Sequence, residues 1–348
     1  VTPATSEVDA NPHPCEPPLV TVVLPVRDEA EYVGAALDSL AAQDLGAERI
    51  EVLVYDGMSS DDTRAECEAR AARAPWARFE VLDNRERTVP HALNAGLKRA
   101  QGRWFTRVDG RTALSPGYLR TCVAAVDGAS PVTAAGGHLR AIAEGRMAEA
   151  IAAVVTHPLG VGNGFRIASN EVTAVPHHPF AVWRTDSVRE LGGFNPELVR
   201  NQDDEFSMRA ALGGAEIFML PTVAVTYRPR ERLRGLTTQY FQYGLWKASV
   251  GRRAGLFPRR SVVPALIAVG AAGSVATAIV RREPRPLLAL AGAYVTAGAW
   301  ISSQRADADA LRTAAALATL HLSYGVGVLS GASSPRLADS SLGRIRVR

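Results

Sequence analysis

The sequence predicts an α/β protein, a doubly wound sheet followed by apolar membrane helices. Three observations carry this. Between residues 19 and 110, short runs rich in β-branched residues alternate with stretches of helical period, the pattern of a parallel sheet. Three of those runs lead into an aspartate, at Asp28, Asp56 and Asp109. Residues 262–329 are rich in Ala, Leu, Val and Gly, carry few charges, and differ in kind from what precedes them.

Leu19–Val26 (LVTVVLPV) reads as a strand covered on both faces, because its apolar run does not alternate. Arg27, Asp28 and Glu29 follow it and lead into a helical pattern over Tyr32–Ala42. Ile50–Tyr55 is a second strand, ending at Asp56-Gly57, and Ser59–Thr63 open the next helix with capping residue types. Phe79–Leu82 is a third strand, Leu93–Ala100 a helix and Trp104–Val108 a fourth strand, closed by Asp109-Gly110. Sheets of this kind bind ligands outside the carboxyl ends of their strands. One aspartate at a strand end is an ordinary turn opener. Three at one edge make an acidic crevice that calls for a cation or for hydrogen-bond donors. No GxGxxG follows the first strand, which argues against a dinucleotide dehydrogenase. Gly160, Gly162 and Gly164 follow a His-Pro pair and read as a loop.

Further on, Ser115–Val126 reads as a helix with Ser115 as N-cap before Pro116. Residues 132–140 and Leu220–Tyr227 read as strands. Asn201–Arg209 (NQDDEFSMR) places three carboxylates in a first helical turn, which the macrodipole favours with or without chemistry. The histidines at 138, 157, 177 and 178 are isolated from other ligand types, and such residues are more often structural than ligating.

In that order, the segments PVRDEAEY (25–32), YDGMSSDDT (55–63), ALNAGLKRAQG (92–102), RVDGRT (107–112), LGGFN (191–195) and NQDDEF (201–206) resemble the inverting family 2 glycosyltransferases. That family has the GT-A fold, a doubly wound mixed sheet that binds nucleotide-diphospho-sugars. The resemblance covers roughly residues 19–250. Through GVGNGFRI (160–167) and YFQYGLWK (240–247) it is similar to the ExoA-like succinoglycan glucosyltransferase subgroup. It implies nucleotide contacts from Pro25, Arg27, Asp28, Glu29, Asp56, Asn94, Lys98, Arg107 and Asp109. It implies Mn²⁺ or Mg²⁺ on Asp109 with His178 as a further ligand, and sugar or acceptor contacts from His178, Gln202 and Trp246. Asp203 is implied as general base, with Asp204 in reserve.

One position departs from the family. Its DxD motif reads Asp109-Gly110-Arg111 here, and arginine has no lone pair to give a metal. Either Asp109 holds the ion with diphosphate and water, or Arg111 contacts the diphosphate itself. The QxxRW string of processive members is absent, which implies one transfer per encounter. The implied activity is transfer of a hexose from a nucleotide sugar, a UDP-sugar for preference, to a hydroxyl of a polyprenyl-linked or glycan acceptor. No nucleic-acid partner is implied. A nucleotidyltransferase and an inactive nucleotide-sugar-binding scaffold are the rivals.

Composition divides the chain into a leader expected to be disordered (1–18), the catalytic region (19–250), membrane-associated helices (251–335) and a basic tail (336–348). The net charge is +4, and the three cysteines have no zinc or disulfide spacing, which fits a reducing compartment. No basic-then-apolar signal pattern opens the chain, which argues against secretion. Val262–Val280, Leu287–Ser302 and Ala310–Leu329 are the candidate spans. Basic residues from Lys247 to Arg260 place the catalytic region on the cytoplasmic face of the cell membrane. Three spans would export Arg344, Arg346 and Arg348, against that rule; two spans and an interfacial piece would not.

Overall fold

The computed structural model describes residues 18–130, 133–161, 169–254, 259–305 and 308–333, and the side chains of 249–261 fall outside that description. Residues 1–17, most of the GVGNGFRI segment and the basic tail lie outside the described residues.

Strands β1 (Val20–Val26) and β2 (Ile50–Asp56) have every side chain buried, as their unbroken apolar runs require. β3 (Arg78–Asp83) pairs with β2, and β4 (Trp104–Arg107) pairs with the other side of β1, all parallel. Helices α1 (Ala30–Ala41), α2 (Thr63–Ala71) and α3 (Val89–Arg99) connect these strands. β8 (Trp183–Arg184) closes the sheet antiparallel to β4, so the order is β3-β2-β1-β4-β8 and the sheet is mixed. From β1 the chain winds outward to β2 and β3, then returns to place β4 on the opposite side. The crevice beyond β1 and β4 is therefore the topological switch point where such sheets bind ligands. Asp28 and Asp109 follow its two strands.

A second sheet lies beside the first. β5 (Thr112–Leu114), β9 (Ile217–Tyr227) and β6 (Ala134–Ala141) run in the order β5-β9-β6, and β7 (Thr173–Ala174) pairs with β9. Between them come α4 (Tyr118–Val126), α5 (Arg146–Val155), α6 (Pro158–Val161), α7 (Thr185–Glu190) and α8 (Gln202–Leu212). Two of the expected helix starts shift. α3 begins at Val89, ahead of the expected Leu93, because Pro90 fits a first turn. Ser115 does not cap α4. Its hydroxyl accepts the Ala224 N–H (3.0 Å) on β9, and the helix starts after Gly117.

Four helices complete the chain: α9 (Leu233–Ala254), α10 (Arg259–Val280), α11 (Arg285–Ser303) and α12 (Ala310–Ser333). A first apolar core surrounds the five-stranded sheet. A second joins Ile151, Val154 and Val155 of α5 to Leu236 and Tyr240 of α9, Ile301 of α11, and Leu317 and Leu320 of α12.

Candidate active site

The floor of the crevice is stitched from two strand ends. Asp56, at the end of β2, is buried; its Oδ1 accepts the Ser59 N–H (3.1 Å) and hydroxyl (2.5 Å), and its Oδ2 lies 3.7 Å from Arg64 Nε. Asp28 stands at φ +51°, in the left-handed region that aspartate tolerates better than most residues. Its Oδ1 accepts the Ser60 N–H (2.8 Å) and hydroxyl (3.0 Å), while its own N–H donates to Ser59 Oγ (3.0 Å). Arg27 Nε lies 3.6 Å from Asp28 Oδ2, and both side chains are exposed. Pro25 is buried in β1, in register with Tyr55. A cleft of about 380 Å³ opens here, lined by Asp56, Met58, Ser59, Asp61, Arg64 and Asp83.

On the β4 side, Arg107 donates from Nε to Asp109 Oδ1 (2.5 Å) and from Nη2 to Oδ2 (2.9 Å), a bidentate pair. Its third nitrogen, Nη1, lies 3.6 Å from Asp203 Oδ2. That nitrogen is buried and has no hydrogen-bond acceptor among the described residues. Burial opposes the charge on Arg107, but Asp109 and Asp203 on either side outweigh it and raise its pKa. Glu29 completes the group. Burial first, and then the charge of Asp109, push its carboxyl up to about 7. Glu29 Oε2 lies against the Gly110 backbone, where a Cβ would come within 2.3 Å, so a side chain at 110 would displace the Glu29 carboxylate.

Asp203 is presented by the first turn of α8. Asn201 precedes it at φ +60°, and its Nδ2 donates to the Tyr243 carbonyl on α9 (3.1 Å). The turn before α8 uses Gly192 (φ +81°) and Gly193 (φ +66°). Arg209 ties that turn to the helix: it donates to the Gly193 carbonyl (2.8 Å), the Leu191 carbonyl and the Glu205 carboxylate (2.9 Å). Phe206 packs on Phe194 and Trp183, with ring centroids 4.8 and 5.1 Å apart. Asp203 Oδ1 accepts the Asp204 N–H (3.0 Å), so Oδ2 is the oxygen that faces the crevice. His177 Nε2 lies 3.8 Å from that oxygen, and His177 Nδ1 meets Ser207 Oγ at 3.2 Å.

The structure thus brings Asp28, Asp56, Glu29, Asp109, Arg107 and Asp203 to one edge of the sheet. It does not bring the rest of the expected set there. His178 is buried behind Gly136; its Nε2 donates to the Gly137 carbonyl (2.7 Å) and its Nδ1 accepts the Phe180 N–H (3.2 Å), so neither nitrogen has a lone pair for a metal. Burial pushes its imidazolium pKa down to about 4, as a structural histidine. Asn94 clamps Phe194 instead of a nucleotide, donating to its carbonyl (2.6 Å) and accepting its N–H (2.8 Å). Lys98 is exposed in the last turn of α3, which lies at the opposite edge, near the start of β1. Gln202 is buried in the α8 start. Asp204 is paired with Lys247 Nζ of α9 at 2.8 Å, which turns it from the base role. Trp246 is half-buried beside Lys247 on α9. His177, the histidine that does face Asp203, is the residue sequence reading missed. Adjacent residues on extended chain point to opposite sides, and nothing in HHP sets the register.

Among the described residues no three His, Cys, Asp or Glu side chains form a ready metal cage. Asp109 and Glu29 do converge, and a raised carboxyl beside a second carboxylate is a contact that a cation relieves. Two carboxylates suit a hydrated divalent ion that takes its remaining ligands from substrate phosphates and water.

Residues 21–191 match the family model for Glycosyl transferase family 2. Among curated relatives, the succinoglycan biosynthesis protein ExoA of Rhizobium meliloti (strain 1021) is 25% identical over 311 residues, 88% of this chain and 92% of that protein. The dolichyl N-acetyl-alpha-D-glucosaminyl phosphate 3-beta-D-2,3-diacetamido-2,3-dideoxy-beta-D-glucuronosyltransferase of Methanococcus voltae is 23% identical, covering 67% of this chain and 74% of that one. In fold, the chain is similar to the mannosyltransferase PcManGT from Pyrobaculum calidifontis, solved with GDP-Man and Mn²⁺. The TM-score is 0.61 at 20% identity, over 90% of this chain and 87% of that one.

Proposed function

The chain is a glycosyltransferase that carries a family 2 domain on a GT-A-like fold, and from that premise we propose that it moves a hexose from a UDP-sugar to a hydroxyl of a lipid-linked or polysaccharide-precursor acceptor, with inversion, at the cytoplasmic face of the cell membrane. The observation that carries the reading is the buried Nη1 of Arg107, which has no hydrogen-bond acceptor among the described residues, on a guanidinium held between Asp109 and Asp203. A guanidinium nitrogen without an acceptor beside a strand-end carboxylate is a place for a phosphate oxygen. The relative with a dolichyl-phosphate-linked acceptor supports a lipid-carried acceptor, and the uronosyl donor in its name shows that donors vary among relatives.

In this reading Asp28 and Asp56 bind the nucleoside end through the cleft beside Ser59, and Arg107 and Arg111 face the diphosphate. Arg111 is held for that by stacking on Tyr32, 4.0 Å from ring centre. Asp203 Oδ2 takes the proton of the acceptor hydroxyl as its oxygen attacks the anomeric carbon. The bond from that carbon to the diphosphate oxygen breaks, and the charge left on the diphosphate is met by the arginines. Asp109 and Glu29 would hold Mn²⁺ or Mg²⁺, which supplies further charge stabilisation at the diphosphate when bound. Arg107 already occupies both oxygens of Asp109, so the ion and the guanidinium compete for them.

The test is nucleotide release by the purified full chain from UDP-glucose, UDP-N-acetylglucosamine and GDP-mannose, each with Mn²⁺, Mg²⁺ or EDTA. A UDP-sugar should be turned over with release of UDP. Asp203→Asn should retain nucleotide binding within a few-fold and lose on the order of 10²–10⁴-fold in turnover. Release of pyrophosphate would instead indicate nucleotidyl transfer. Binding without turnover under every condition would indicate a scaffold, the reading that the missing second DxD carboxylate favours.

A further inference from the structure

Among the described residues three helices are long and apolar enough to cross a membrane: Val262–Val280 of α10, Arg285–Ser303 (α11) and Ala310–Ser333 (α12). Their surroundings divide them. Only 6% of the apolar window of α10 and 11% of that of α11 are buried in protein, against 50% for α12. On α10 the exposed residues include Leu266, Val269, Val275 and Ile279, and on α11 Leu288 and Val295. α12 exposes Leu311, Val326 and Leu329 but is covered over the rest of its apolar length. Leu317 and Leu320 join the α5 core, and His321 Nε2 donates to the Leu159 carbonyl of α6 (2.8 Å). Gly327 and Gly331 lie against the backbone of Phe241 and Leu245 on α9, so closely that a Cβ would approach those carbonyls to 2.2 and 2.3 Å. α9 in turn holds the base helix through Lys247–Asp204. α12 thus packs on α5, α6 and α9 of the catalytic side as well as on α10 and α11.

The register agrees. If α10 and α12 crossed in the same direction within one bundle, the start of α10 would sit beside the start of α12. Instead Pro264 packs on Gly325, fifteen residues or roughly 22 Å along α12. The end of α11 packs on the start of α12, through Gly298 against Ala310 and Ala314. The catalytic-side ends of both α10 and α11 therefore rest on α12.

From these contacts we infer that α10 and α11 alone cross the bilayer, as a helical hairpin, and that α12 stays on the catalytic side as the platform joining hairpin, α9 and α5. The inference rests on the membrane-anchored reading above. Each helix of the hairpin offers a predominantly apolar stretch of 19 residues, about 28 Å, which matches the hydrocarbon thickness. The basic residues fit this arrangement and no three-span one. The catalytic side holds five Lys or Arg between Lys247 and Arg260, together with Arg305 and Arg312. The hairpin tip holds three, Arg281, Arg282 and Arg285. Four more follow α12, at Arg336, Arg344, Arg346 and Arg348. With two spans, eleven stand on the catalytic side against three; with three spans, seven stand against seven. The first distribution obeys the positive-inside rule and the second gives it nothing to act on.

Single cysteines test this in the full-length chain with Cys15 replaced by alanine, because Cys67 and Cys122 are buried. Glu86→Cys reports the catalytic domain, Glu283→Cys the hairpin tip and Ser333→Cys the end of α12; all three positions are exposed. A membrane-impermeant maleimide is applied to intact cells of a bacterial host and to inverted vesicles, and a parallel sample is washed in alkaline carbonate. The expected result is retention in the washed membrane, E283C labelled from the side opposite to E86C, and S333C labelled from the same side as E86C. Labelling of S333C together with E283C, or of all three from one side in a carbonate-resistant chain, overturns the inference. Release by carbonate, as monomer or as a dimer covering the hairpin, overturns the membrane-anchored reading and the inference with it.

Discussion

At the scale of single residues, the site rests on charges placed where each needs another. Glu29 has the clearest consequence. Its carboxyl rises from an ordinary 4.5 to about 7 in the fold. Between those pH values the native state holds a proton that the unfolded chain has released, so stability falls as pH rises through the window and levels off above about 7. The total is on the order of 3 kcal/mol. In metal-free buffer, Glu29→Gln should flatten the dependence of Tm on pH between 5 and 8.5 and raise Tm at the alkaline end. An unchanged slope would remove Glu29 from this role. His177 makes a second prediction. It bridges Asp203 and Ser207, one turn apart on α8, so it orients Asp203 Oδ2, the oxygen proposed as base. His177→Ala should lower kcat about tenfold with the donor KM little changed, and His177→Gln, which can donate and accept at the same places, should recover most of the loss. The aspartates were legible because strand-end carboxylates follow from the sheet pattern. The histidines were not: choosing between His177 and His178 needs the register of an irregular segment, and the buried one was the wrong candidate.

At the scale of elements, the segment that presents Asp203, the proposed base, is held by α9 as well as by α8. Lys247 pairs with Asp204, Asn201 donates to the Tyr243 carbonyl, and Arg200 Nε meets Gln242 at 3.2 Å. Lys247→Met should therefore reduce turnover about tenfold while moving Tm by only a degree or two, because a half-exposed ion pair contributes roughly 0–1 kcal/mol. Equal loss of activity and stability would make Lys247 merely structural. Asn94→Ala should do the reverse, costing about 1–3 kcal/mol in urea unfolding through its two bonds to Phe194. Strands β1 and β2 were legible because central parallel strands bury both faces and leave unbroken apolar runs, and β3 and β4 because their aromatic and β-branched residues alternate with helical stretches. β5, β7 and β8 were not, being two or three residues long with no period to read.

At the scale of the whole molecule, two cores divide the work. The first holds the nucleotide-side crevice, and the second joins α5, α9, α11 and α12 and leaves the α10–α11 hairpin free to face lipid. The division of apolar segments was legible in composition, but their separate fates were not, because burial of α12 depends on contacts with α5, α6 and α9 far earlier in the chain. This layout separates chemistry from anchoring. Removing residues 262–303 and closing the gap with a Gly/Ser linker leaves α9, α12 and the Lys247–Asp204 pair in place. Donor hydrolysis in detergent-free solution should then stay within about threefold of the full chain. Transfer to a polyprenyl-linked acceptor in vesicles should fall by 10²-fold or more, because confinement of enzyme and acceptor to one surface acts as an effective concentration worth roughly 10²–10⁴. A short-chain, water-soluble version of the same acceptor should restore transfer. If the deletion abolished hydrolysis as well, the hairpin would be part of the catalytic fold; if vesicle transfer survived, α9 and α12 would suffice to hold the enzyme at the membrane.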